Sequence, residues 1–303
     1  MKNQENSPHS VACYGEILWD ATPHGLFLGG APFNVAYHLT RLGQPSLVIS
    51  AIGRDELGRQ AIRKAEAYEM DISCIQIRDT MPTGISDITI DESGDATYDI
   101  RQPAAWDNIS YSELLSEKLL HCPALVYGTL SSRASGSRGT LRQILKDYQG
   151  LTVCDINLRK PHDKLDLVLD LARKAQIIKL NEDELYTLCD AKRSSLSFEE
   201  ALVELKKRTS ASMIFVTRGG EPAVYFDGDR TVYANPPKTG KVVDTIGAGD
   251  AFTAALVFNL LKNVEMENCL EIAVRLGSFV ASKHGAQPDY DPVELETKAG
   301  ILI

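Results

Sequence analysis

The segment Asp244-Thr245-Ile246-Gly247-Ala248-Gly249-Asp250 carries the residue types best suited to chemistry in this chain. An extended run, Lys241-Val242-Val243, leads into it. Behind it Ala251, Ala254, Ala255, Phe258 and Leu261 recur at helical spacing. Small residues at 247–249 let a ligand approach the backbone closely. The first N–H groups of a helix lack internal partners and carry partial positive charge, so a phosphate whose charge builds during transfer suits this place. Asp250 has two readings on local grounds: a helix N-cap, or a base that takes the proton of an attacking hydroxyl. No G-x-x-x-x-G-K-[ST] is present, since Gly53-Arg54-Asp55-Glu56-Leu57-Gly58 lacks the lysine. No G-x-G-x-x-G follows a predicted strand either.

The elements that must position such a turn alternate along the chain. The pattern predicts strands at Ser46–Ile52, Ala124–Tyr127, Leu151–Asp155, Gln176–Leu180 and Met213–Thr217. It predicts helices at Asp55–Tyr68, Ser137–Tyr148 and Leu165–Lys174. This is the rhythm of an α/β fold with a mostly parallel sheet, in which ligands bind beyond the carboxyl ends of the strands. Gly128, Asn157, Asn181 and Gly219 follow predicted strands. Two segments break the rhythm: 17–28 reads as short and irregular, and 84–100 as a half-exposed hairpin turning at Glu92-Ser93-Gly94-Asp95. Together they could form a small separate sheet over a cleft, or a decorated sheet edge.

The 303 residues are 44% hydrophobic, enough for one large domain over 1–303, and carry a net charge of −9. That acidic balance argues against nucleic acid as a partner but leaves room for a small anion in a nest of N–H groups. Six cysteines are scattered without C-x-x-C pairs or zinc spacing and read as reduced residues of a cytoplasmic protein. Met1 to Ser10 has no apolar signal core, and the apolar stretch near Ala251 to Leu261 is too short for a bilayer. No membrane association is expected.

Taken with Gly29-Gly30-Ala31-Pro32-Phe33-Asn34-Val35-Ala36, the glycine turn resembles the two signatures of the ribokinase-like (PfkB) carbohydrate kinases, and of fructokinases in particular. The resemblance spans nearly the whole chain and implies a ribokinase-like three-layer sandwich, a mostly parallel central sheet and a small β lid from 17–28 and 84–100. It implies that Asp250 is the base and that the N–H groups of Gly247, Ala248 and Gly249 form an anion hole. Gly15-Glu16-Ile17-Leu18-Trp19-Asp20 is similar to a sugar-binding G-E-x-x-x-D segment, so Asp20, Gly30 and Asn34 would line a sugar pocket. Arg101 would join them through Tyr98-Asp99-Ile100-Arg101. Arg159, in Asp155-Ile156-Asn157-Leu158-Arg159, would reach a phosphate. Lys179-Leu180-Asn181-Glu182-Asp183-Glu184 resembles an N-x-x-E motif, in which Asn181 and Glu184 would hold hydrated Mg²⁺. Lys179, Thr217, Gly219 and Gly285 would serve ATP.

Read locally, Asp20 could instead be a turn residue, Asn34 a helix cap, Arg159 a surface ion pair, and the acidic cluster a helix start. The resemblance favours fructose as acceptor, with K⁺ near the anion hole as a further cofactor and a homodimer through the lid edge. Kinases for other sugars, sugar acids or nucleosides share the implied fold. A non-catalytic sugar-binding regulator is the alternative of another class.

Overall fold

A strand covered on both faces carries apolar residues at every position, and the centre of this protein is built from such strands. The computed structural model describes residues 9–22, 25–90, 96–238 and 242–301. Among them, one sheet runs in spatial order through β5 (Asp71–Arg78), β4 (Ser46–Gly53), β1 (Val11–Tyr14), β8 (Ala124–Gly128), β9 (Leu151–Asp155), β10 (Ile177–Asn181), β11 (Met213–Arg218), β12 (Glu221–Phe226) and β13 (Thr231–Ala234). Pairings from β5 to β11 are parallel, and β12 and β13 add an antiparallel edge.

Alternation along β1 shows the layering. Val11 and Cys13 face a core shared with helices α1 (Ala31–Arg41), α2 (Glu56–Ala67), α8 (Ala248–Leu261) and α9 (Met266–Ala281). Ala12 and Tyr14 face the opposite core. There α3 (Glu113–Leu119), α4 (Ser135–Asp147), α5 (Leu165–Ala172), α6 (Glu182–Leu188) and α7 (Phe198–Thr209) pack. This is the expected three-layer arrangement. Parallel strands share one carboxyl edge, so the residues after β1, β8, β9, β10 and β11 converge there.

A second sheet lies in the order β3 (Gly25–Gly29), β2 (Leu18–Thr22), β6 (Gly84–Ile90) and β7 (Ala96–Ile100). One transverse row sets Phe27, Asp20, Ser86 and Ile100 side by side on the same face. Trp19 takes the other face. It is buried, and its indole N–H donates to the Leu57 carbonyl of α2 at 3.1 Å.

The strands and helices predicted between Ser46 and Thr217 all form, with ends displaced by no more than two residues. The segment 17–28, irregular by pattern but a lid segment by the resemblance, carries β2 and enters β3; the two pair with each other, and β2 also pairs with β6. The second partner of β2 lies far along the chain, and edge strand β3 leaves Leu26 and Phe27 half exposed, so no clean alternation marks them. Val242 and Val243 form no strand; the Val243 N–H donates to the carbonyl of Ala281, the last residue of α9. Lys241, the turn at Glu92–Asp95 and the first eight residues lie outside the described residues. The pattern missed β1, four residues long, the strands β5, β12 and β13, and the helices α3, α7 and α9.

Arg133 fastens the two sheets. Its side chain is 3% exposed and donates to both Asp107 oxygens at 2.8 and 3.0 Å. It also donates to the carbonyls of Ile100 and Arg101, at 3.1 and 2.8 Å, where the chain leaves β7. Its guanidinium lies 3.9 Å from the centre of the Trp106 ring. Removing one partner of such a pair strands a buried charge. Arg133→Ala is expected to cost about 3–5 kcal/mol in urea unfolding. Arg142→Ala, which breaks the exposed pair with Asp170, is expected to cost about 0–1 kcal/mol.

Candidate active site

Two cavities meet at the carboxyl edge of the large sheet. The first, about 350 Å³, is lined by polar side chains: Glu16 after β1, Asp20 and Ser86 from the small sheet, Asn157 and Arg159 after β9, and Asp250. The second, about 540 Å³, is mostly apolar, with Ala223, Phe252, Val274 and Ala281 in its wall. Thr217, Thr245 and Gly249 line both, so a group passing between the cavities crosses the start of α8.

Local backbone explains that junction. Gly247 precedes α8 at φ 78°, a left-handed conformation that favours glycine. A Cβ there would stand 2.5 Å from Ala286 Cα. Asp250 is the third residue of α8 and makes no capping bond, which removes the cap reading. Its carboxylate accepts instead from Asn34 Nδ2 at 2.8 Å. Asn34 lies inside α1 rather than capping it; the cap position is Gly30, at φ 112°, where a Cβ would strike the Glu16 carbonyl oxygen at 2.2 Å.

Lys179 is buried and donates to Asp155 at 3.0 Å, while Asp155 also accepts from Thr253 at 2.8 Å. Burial opposes the Lys179 charge, but Asp155, Asp250 and Glu184 outweigh it and raise its pKa. A Cβ on Gly249 would come within 2.8 Å of Lys179 Nζ, so the ammonium sits beside the glycine turn.

Burial lifts Glu16, Asp20 and Asp250 in the polar cavity. Asp250 rises to about 6, with Asp155 adding to the rise and Lys179, Asn34 and Arg159 opposing it. Glu16 and Asp20 each rise to about 7, also through burial; Arg159 lowers both and Asp250 raises both. Three buried polar atoms on this cavity's residues have no hydrogen-bond partner: Glu16 Oε2, Ser86 Oγ and Asn157 Nδ2. Acceptor, hydroxyl and donor together suit a ligand bearing several hydroxyls.

Two anticipated residues, Arg101 and Gly285, lie elsewhere. Arg101 lines neither cavity. Ile100 faces the cleft, so its neighbour turns away and pairs with Asp87 at 2.6 and 2.7 Å. Gly285 also lies outside both linings; its N–H donates to Asp244 at 3.0 Å. Thr217 and Gly219 line the apolar cavity. Asn181 and Glu184 line the polar one, joined as a capping box at the start of α6. Glu184 accepts from Asn181 N–H and Leu158 N–H, both at 2.8 Å. Lone pairs remain for water, which fits a hydrated Mg²⁺ better than direct ligation. Among the described residues no group of three His, Cys, Asp or Glu could hold a metal.

Sequence reasoning did not assign Glu16, Ser86, Thr253 or Gln287. Thr253 could have been found one helical turn beyond Asp250, and Ser86 by alternation along β6 from Ile88. Gln287 gave no signal of its own.

A glycine turn and helix start between a polar hydroxyl-matching cavity and an apolar one fit a phosphotransferase of the α/β class. The pfkB family carbohydrate kinase pattern matches residues 9–292, and the chain belongs to that family of sugar kinases. It is 26% identical to an ATP-dependent 6-phosphofructokinase of Thermoanaerobacterium thermosaccharolyticum, over 96% of this chain and 94% of the other. It is 28% identical to Fructokinase-1 of Oryza sativa subsp. japonica, over 94% and 95%. The crystal structure of a fructokinase with bound ATP from Xylella fastidiosa shares the fold at a TM-score of 0.79, with 18% identity over 92% and 94% of the two chains. Among the described residues no helix is long and apolar enough to cross a membrane.

The raised Glu16 carboxyl has a stability consequence. Its folded pKa of about 7 exceeds the ordinary 4.5, so it favours folding at low pH and that contribution is lost as pH rises through 7. Glu16→Gln cannot ionise. Relative to the parent it should gain about 2–3 kcal/mol between pH 5 and pH 8 in chemical unfolding without ligand. An equal offset at both pH values would refute this.

Proposed function

We propose that this chain is an ATP-dependent fructokinase, converting ATP and D-fructose to ADP and fructose 6-phosphate. The observation that carries the reading is the meeting of the two cavities at Gly249, with the Asp250 carboxylate on the polar side. ATP is the donor in this reading; the apolar cavity suits a nucleotide base, and the names of two relatives carry ATP. The sugar hydroxyl attacks the γ-phosphorus as its proton passes to Asp250. Backbone N–H groups at 247–249 and the start of α8 then meet the charge developing on the phosphoryl oxygens. Lys179 and Arg159 add positive charge beside them. Mg²⁺ held through water by Asn181 and Glu184 would neutralise phosphate charge when bound. K⁺ beside the glycine turn belongs to the same proposal.

Charge supports a neutral sugar over a sugar phosphate. Glu16 and Asp20 stand with Arg159 in the sugar cavity, so a second phosphate there would face two carboxylates. The half-exposed Leu26 and Phe27 on edge strand β3 support a homodimer through the small sheet, and the six free, buried cysteines support a cytoplasmic setting. Light scattering that finds only monomer at micromolar concentration would count against the dimer.

ADP release across fructose, fructose 6-phosphate, mannose, ribose, gluconate derivatives and adenosine, in K⁺ and in Na⁺, tests acceptor and cation together. Fructose should lead. Asp250→Asn keeps the size of the side chain and loses the base. Turnover should fall on the order of 10²–10⁴-fold with sugar binding retained. In the parent, kcat/KM should fall as pH drops through about 6, where Asp250 takes up its proton.

A further inference from the structure

We infer that Gln287 is a positioning residue for this reaction: its amide dictates which way Asn34 faces, and so which atom meets the Asp250 carboxylate. The inference rests on Asp250 being the base.

The chain of reasoning starts from a backbone atom whose chemistry admits one role. The Leu28 carbonyl, in β3, can only accept. Gln287 Nε2 donates to it at 2.9 Å, which fixes the Gln287 amide. The same nitrogen donates to Asn34 Oδ1 at 2.8 Å. Asn34 must therefore turn its oxygen to Gln287 and its nitrogen to Asp250, where Nδ2 donates at 2.8 Å. A flipped Asn34 would set donor against donor and oxygen against carboxylate.

The segment that carries Gln287 is itself held. Pro288 accepts from the Tyr37 hydroxyl at 2.6 Å, and Ala286 packs on Gly247. Thus the small sheet, the glycine turn and the base share one short support. A donor held on a carboxylate favours its ionised form, the form a base needs. The other charged groups facing Asp250 are Asp155 on β9, Lys179 on β10, Arg159 after β9, and Glu16 and Asp20 near β2. None of them touches Gln287 in the bonds above, so a change at 287 leaves them in place.

The test is kcat/KM for the best sugar from pH 5 to pH 9 in Gln287→Met, which removes the donor and adds no charge. The acid limb should move up by about one pH unit, with activity recovering towards the parent above it. A limb that stays in place while kcat/KM drops by one factor at every pH would overturn the inference and leave Gln287 a structural residue. Thermal melting checks the fold, and Gln287→Leu takes over should the Met variant not fold. Asp250→Asn separates the two levels. If that variant retains turnover, the base assignment fails and this inference with it. If it is inactive while the limb in Gln287→Met is unmoved, only the role of Gln287 fails.

Discussion

In the proposed reaction two anions share the start of one helix. Asp250 lies in the first turn of α8, and the proposed reaction brings a phosphoryl group to the same N–H groups. Neither anion tolerates burial without compensation. The compensation comes from separate directions: Lys179 from β10, Asn34 from α1, and the helix start itself. Asp155 holds Lys179 in turn, and Thr253 holds Asp155. The central strands are placed so that these partners converge, and the apolar packing on both faces of the sheet keeps them from relaxing apart.

The cost of this arrangement is visible in the carboxylates. Burial lifts Glu16 and Asp20 to about 7. Asn157 Nδ2 and Ser86 Oγ are buried without partners beside them. Such groups weaken the fold, and in the proposed reaction the sugar hydroxyls would match them. Stability and affinity therefore draw on the same atoms.

Much of the fold was legible because buried parallel strands and amphipathic helices write their periods into local sequence. The glycine turn was legible too, since few combinations place small residues and a carboxylate at a helix start. What escaped depends on partners remote in the chain. β2 pairs with β6 across a long separation and β3 rests on β2 as an edge, so residues 17–28 read as irregular by pattern alone. Arg101 was placed in the cleft by analogy of segment, whereas alternation from Ile100 turns it outward to Asp87. Asp250 reads locally as a cap, whereas it lies inside α8 without a capping bond and accepts from Asn34, 216 residues away. Gln287 is the extreme case: an ordinary side chain whose position matters through two partners near the opposite end of the chain.

The register of β2 carries an evolutionary consequence. Asp20 faces the cleft in a row with Ser86 and Ile100, while Trp19 is anchored through its indole to Leu57 of α2. In a strand, neighbouring residues lie on opposite faces, so inserting or deleting one residue between Leu18 and Thr22 would exchange the two. A carboxylate would then press on α2 and an indole would fill the cleft. Point substitutions can drift through this strand one side chain at a time. Changes of length cannot, and descendants of this chain should vary in length at its turns while the spacing from Gly15 to Asp20 stays fixed.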